Sequence, residues 1–90
     1  QVLYSALTQA AEAAKAAGTV KYDTLPEFVV ERPANAAFGD FSANLAMMLA
    51  SQAKMPPRQV AQAIIEQLRL PETVLDRTEI AGPGFINLYL

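Results

Sequence analysis

Cysteine and histidine are both absent from these 90 residues, and charged residues make up only 18% of them. Without cysteine there are no disulfides and no thiolate metal sites. Without histidine as well, the usual zinc sites, Ser/His/Asp triads and Cys/His dyads are excluded, which leaves carboxylates, lysine, tyrosine and serine for any chemistry. No apolar run approaches the roughly 20 residues that a membrane span needs. No charged stretch precedes an apolar one near Gln1, so a signal peptide is not expected. An excess of positive charge is also lacking, with 7 Lys and Arg against 9 Asp and Glu and a formal net charge of −2. The isoelectric point near 4.9 argues against indiscriminate nucleic-acid binding, because clustered Lys and Arg normally supply the attraction to phosphate.

What is present is apolar. A hydrophobic fraction of 52% calls for a folded unit, and residues 1–90 are expected to form a single domain with a modest core. The chain opens on Gln1 rather than Met and stops at Leu90 inside an apparent strand, so it is expected to be a piece of a longer protein.

Val2 to Ala17 repeats its apolar groups at Val2/Leu3, Ala6/Leu7, Ala10/Ala11 and Ala14, the spacing of an amphipathic helix, and Gly18 is placed to stop it. Thr19 to Pro26 reads as a loop in which an extra short strand is conceivable. Glu27 to Arg32 (E-F-V-V-E-R) predicts a short strand closed by Pro33. After Phe38-Gly39-Asp40, with Asp40 or Ser42 as the cap, Phe41, Leu45, Met48 and Leu49 fall on one inward stripe of a second helix reaching about Gln52. Pro56-Pro57 starts a third helix, Arg58 to Leu68, with Val60/Ala61, Ile64/Ile65 and Leu68 buried, and Arg69 complements its C-terminal dipole. Val74 to Ala81 predicts a strand with Val74, Thr78 and Ile80 inward and Arg77 and Glu79 outward.

Ala81-Gly82-Pro83-Gly84 is a turn leading into a last strand, so the chain closes on a hairpin. The fold class is therefore α+β: a small antiparallel sheet of three to four strands, covered on one face by three helices, with the other face at least partly open.

The last strand carries the main candidate site. Side chains alternate across a strand, which puts Phe85, Asn87 and Tyr89 on one side and Ile86, Leu88 and Leu90 on the other. Two rings with a carboxamide between them suit an unpaired base, which is stacked by the rings and read along its edge by the amide. The same pattern also suits a strand packing against a neighbouring domain, and it leaves both readings open. The turn glycines Gly82 and Gly84 lack the Lys, Ser/Thr and following helix of a phosphate loop. Phe38-Gly39-Asp40 through Asn44 can be read as a ligand-binding turn, but a helix cap with Phe38 and Phe41 as hydrophobic anchors is the better reading; Tyr4 and Tyr22 read as packing-edge residues. Glu27, Glu31, Asp40, Glu66, Glu72, Asp76 and Glu79 show no spacing that demands a metal or an acid/base pair. Arg32, Arg58 and Arg77 are the candidate phosphate contacts, each individually unspecific.

Three stretches taken together, P-A-N-A-A-F-G-D-F-S-A-N (Pro33 to Asn44), P-P-R-Q-V-A-Q-A-I-I-E-Q-L (Pro56 to Leu68) and I-A-G-P-G-F-I-N-L-Y-L (Ile80 to Leu90), resemble the N-terminal additional domain of arginyl-tRNA synthetases. Many members of that family carry His and Tyr where Phe38 and Phe41 stand. The resemblance implies an accessory domain that contacts the tRNA(Arg) D-loop at the elbow, with Phe85 as the stacking aromatic and Asn87 as the edge-reading amide. Tyr89, Gly82 and Gly84 are implied neighbours. It also implies a cytoplasmic parent enzyme, a class I ligase that charges tRNA with arginine using ATP and Mg2+, and a catalytic domain of the same chain as partner, with no membrane or DNA involved. No cofactor is implied for this segment, whose lack of histidine rules out the H-I-G-H signature; Lys54-Met55-Pro56 shares only two letters with K-M-S-K-S. The runner-up is a structural or protein-interaction domain docking on a neighbouring one.

Overall fold

A computed structural model describes residues 2–71 and 73–90; Glu72 and Gln1 lie outside the described residues. Helix α1 spans Val2–Ala17 and buries Leu3, Ala6, Leu7, Ala10, Ala11 and Ala14. The alanines among them permit close helix packing, and α1 lies against α3. Gly18, at φ 79, ends it: the Gly18 N–H donates to Lys15 O and the Thr19 N–H to Ala14 O, both at 3.0 Å. This is the paired 5→2 and 6→1 closure that glycine makes strain-free. The segment from Thr19 to Pro26 contains no strand.

Four strands, β1 (Val30–Glu31), β2 (Phe41–Ala43), β3 (Arg77–Ala81) and β4 (Phe85–Tyr89), form one antiparallel sheet in the order β1-β2-β4-β3. Helices α2 (Leu45–Ala53) and α3 (Pro57–Gln67) cover one face and pack against each other. Ile86 and Leu88 point into that layer and, with Leu45, Leu49, Val60 and Ile64, are fully buried in a single core.

The stretch after Asp40 departs from the helix expected of it. Phe41–Ala43 is a strand, and α2 begins only at Leu45. Phe41 and Ala43 stand opposite Leu88 and Ile86 while Ser42 stands opposite Asn87, so an in-out-in alternation over three residues imitates the opening of a helical stripe. Neither Asp40 nor Ser42 caps α2. The Asp40 carboxylate instead accepts the Leu90 N–H at 2.7 Å, and the Asp40 N–H donates to Leu88 O at 2.9 Å. Asn44 stands at the N-cap position but turns its Oδ1 to the Val29 N–H at 2.8 Å, bracing β1 against β2.

Smaller corrections follow from the same packing. Met48 is 44% exposed, because the face of α2 that packs inward runs through Leu45, Ala46 and Leu49 and Met48 lies to one side of it. The predicted Glu27 to Arg32 strand shrinks to two residues. Val2 and Val74 are exposed, Val74 because it lies in a turn donating to Pro71 O before β3 begins. Leu90 is exposed beyond the end of β4. Tyr22 is buried and Tyr4 stacks on Phe28 with ring centroids 4.2 Å apart. Arg69 donates to Glu66 O and Leu68 O, satisfying carbonyls at the end of α3 as its position predicts.

Candidate nucleic-acid interface

The pairing register places Glu31, Ser42, Asn87 and Glu79 in one row across the open face, one residue per strand. Phe85 stands on the same face two residues to one side of Asn87, opposite Ala81, and Tyr89 two residues to the other side, opposite Arg77. The face therefore has two ends with different chemistry.

At the Phe85 end lies a cleft of about 720 Å³, within the range of small-ligand sites. The segment between β1 and β2 contributes Arg32, Pro33, Ala34 and Phe38 to its wall, and the hairpin contributes Gly82, Phe85 and Asn87. Phe85 is 39% exposed, but Asn87 is only 3% exposed. The carboxamide is thus far less open than the ring beside it. The alternation gave its face correctly and could not tell that the residue 31–38 segment arches beside it. Among the described residues the Asn87 carboxamide has no hydrogen-bond partner in the protein, and its oxygen and nitrogen keep a narrow contact with solvent through the cleft. It is a polar group at the floor of a cleft whose donor and acceptor are left unused by the protein.

The Tyr89 end is a closed network. The Tyr89 hydroxyl lies 2.9 Å from Ala37 O and 3.1 Å from Glu79 Oε1, while the Arg77 guanidinium sits 3.9 Å over the Tyr89 ring centroid and pairs with Glu79 and Asp76. Desolvation first, then the hydrogen bond to Glu79, raises the Tyr89 phenol above its ordinary pKa, so it keeps the proton that two acceptors need. The hydrogen bond that Arg77 donates to Glu79 likewise holds its guanidinium firmly charged.

Of the residues singled out from sequence, the structure thus brings Phe85, Asn87, Gly82 and Arg32 to one cleft. It places Tyr89 and Arg77 in the network beside it. Gly84 is buried against Pro57 of α3 and does not line the cleft. Arg58 donates to Gly82 O at 2.6 Å and to Ile80 O at 3.4 Å, a brace on the hairpin. Arg32 lies 5.0 Å from the Phe41 ring centroid on the cleft wall. Phe38, which the sequence reads as an anchor in preference to part of a ligand-binding turn, is 52% exposed on the cleft wall and not a packed anchor.

Among the described residues no group of three His, Cys, Asp or Glu side chains is placed to share a metal ion, and no helix is long and apolar enough to cross a membrane. Fold and site together define a small α+β domain with an aromatic, amide-lined cleft on its open sheet face. The arginyl-tRNA synthetase N-terminal domain model matches residues 1–90, and the chain belongs to that family. It is 53% identical over 88 residues to the arginine-tRNA ligase of Moorella thermoacetica, a match that covers 98% of this chain and 16% of that protein. It is 51% identical, with the same coverage, to that of Desulforamulus reducens. The Geobacillus kaustophilus ligase is 49% identical over 88% of the chain and 14% of its own length. The chain thus spans about one sixth of the relatives it matches most fully.

Proposed function

We propose that this chain is the tRNA-contacting domain of a cytoplasmic arginine-tRNA ligase and that its cleft takes an unpaired D-loop base of tRNA(Arg). The observation that carries this reading is the Asn87 carboxamide, which lines the cleft beside an exposed aromatic ring and makes no hydrogen bond to the protein among the described residues. Phe85 supplies a stacking surface, and Asn87 offers one acceptor and one donor, the pair that matches an adenine edge in the bidentate mode. Because the residue is only 3% exposed, a base meeting the carboxamide displaces little water and gives it hydrogen-bond partners that the protein itself does not supply. Arginine activation, with the ATP and Mg2+ it needs, belongs to the catalytic domain of the parent chain; the residues here fit neither group, since no metal-holding cluster occurs among the described residues and the turn glycines lack a phosphate-loop setting.

Phe85→Ala in the full-length ligase tests it. Loss of one base stack of about 1 to 3 kcal/mol is expected to lower kcat/KM for tRNA while arginyl-adenylate formation proceeds normally. Equal losses in both steps would sink the reading.

With a net charge of −2, phosphate attraction by this domain has to be local. Arg32 is the cationic residue on the cleft wall, so Arg32→Ala is expected to weaken tRNA binding by the intact ligase and to reduce the slope of log affinity against log salt by about 1. An unchanged slope would remove Arg32 from the phosphate contacts.

A further inference from the structure

Phe38 is more exposed than Phe85, at 52% against 39%, and neither ring stacks on another aromatic side chain. An apolar ring held in water is unfavourable, and on a loose loop it would fold back onto the protein. The backbone around Phe38 is not loose. The Ala37 N–H donates to Asn35 Oδ1 at 2.9 Å and the Phe38 N–H to Asn35 O at 3.0 Å, which closes one 3₁₀ turn over Ala36–Phe38. Ala37 O lies 2.9 Å from the Tyr89 hydroxyl. Gly39, at φ 96, passes so close to β4 that a Cβ there would sit 2.9 Å from Leu88 O, and Asp40 bonds β4 through both its N–H and its carboxylate. The turn is thus fastened to the Leu88–Leu90 end of β4 on both sides of Phe38. Phe85 marks the other end of that strand, with Asn87 between them.

We propose that Phe38 is a second stacking ring of the cleft, contacting the unpaired D-loop nucleotides together with Phe85, and that Tyr89 is a positioning residue that holds the turn carrying Phe38. This rests on the tRNA reading above. Stacking accepts any base, so Phe38 contributes affinity and leaves discrimination to Asn87.

The test is charging by the full-length ligase. Phe38→Ala is expected to raise KM for tRNA on the order of 5- to 100-fold with adenylate formation unchanged. Phe38→Tyr is expected to retain wild-type charging and Phe38→Leu to behave like the alanine variant. The unfolding midpoint of Phe38→Ala should not move, since the ring is largely outside the core. On tRNA bearing single abasic sites along the D-loop, the Phe38→Ala penalty is expected to vanish at one position. Tyr89→Phe should raise KM less than Phe38→Ala and add nothing on top of it. Normal charging by Phe38→Ala beside impaired Phe85→Ala would overturn this inference and spare the tRNA reading; normal charging by both would overturn the reading itself. Recovery by leucine, or a penalty that persists on every abasic tRNA, would also overturn the stacking role. Additive effects of Tyr89→Phe and Phe38→Ala would remove Tyr89 as the positioning group.

Discussion

Replacing Asn87 with leucine is expected to leave this domain as stable as before, or up to about 1 kcal/mol more stable, while the intact ligase loses about 1 to 3 kcal/mol in its use of tRNA. The two effects separate because Asn87, 3% exposed, forms no side-chain hydrogen bond among the described residues that its removal could break. A similar-sized apolar side chain fills the same space and removes an amide that is largely withdrawn from water and makes no bond to the protein. Urea unfolding of the chain and tRNA kinetics of the ligase measure the two separately. If leucine unfolds the domain, Asn87 is structural and the base-reading role fails.

Asn87→Asp should behave oppositely in stability. The new carboxylate would be buried in the same row as Glu31 and Glu79, so burial and like charge both raise its pKa above the unfolded value of about 3.9. The folded state then binds the proton more tightly than the unfolded one. Stability is fully present below about pH 3.9 and is lost as pH rises from there through the folded pKa, at about 1.4 kcal/mol for each pH unit separating the two values. A pH series of unfolding midpoints should show the gap from wild type widening toward neutrality; a constant gap would mean that the introduced carboxylate stays solvated.

Gly84→Ala is expected to cost about 3 kcal/mol, lowering the thermal midpoint by more than about 10 °C in a domain of this size. Gly84 sits at φ 149, a conformation that L side chains rarely adopt, and an added Cβ would lie 2.7 Å from Pro57 Cβ and 3.0 Å from Pro57 C. Neither atom can move without shifting the start of α3. The control is Gly82→Ala two residues earlier. Its φ is 53 and the nearest atom to a new Cβ is Phe85 Cδ2 at 3.9 Å, so only a left-handed backbone cost of about 1 to 2 kcal/mol remains. Equal midpoints for the two variants would show that the contact between hairpin and α3 is not tight.

Sequence reasoning succeeded where one physical signal ran long enough to be unambiguous. Sixteen residues of α1 repeat at helical spacing, α3 is opened by proline, and the G-P-G turn fixes the terminal hairpin. It failed where an element was too short for its period to register: Phe41-Ser42-Ala43 fits both a strand and the start of the Phe41/Leu45/Leu49 stripe, and the pairing with β4 that decides the matter is a long-range contact. The candidate site was legible to the same depth. Which face Phe85 and Asn87 share follows from alternation; how deeply Asn87 is buried, and that Phe38 lines the same cleft, depends on the path of the segment between β1 and β2, which has no periodicity to read.

The strand order has a consequence for synthesis. β4 lies between β2 and β3, so until residues 85–89 have been made, β2 has a neighbour on only one side and β3 has none. A nascent chain can coil its helices early, but it carries unsatisfied strand edges until β4 arrives, and such edges invite pairing with other chains. Translation arrested just before Phe85 would therefore leave a sticky intermediate, and completion of the sheet would be a single late zipping event spanning more than forty residues of separation between β2 and β4.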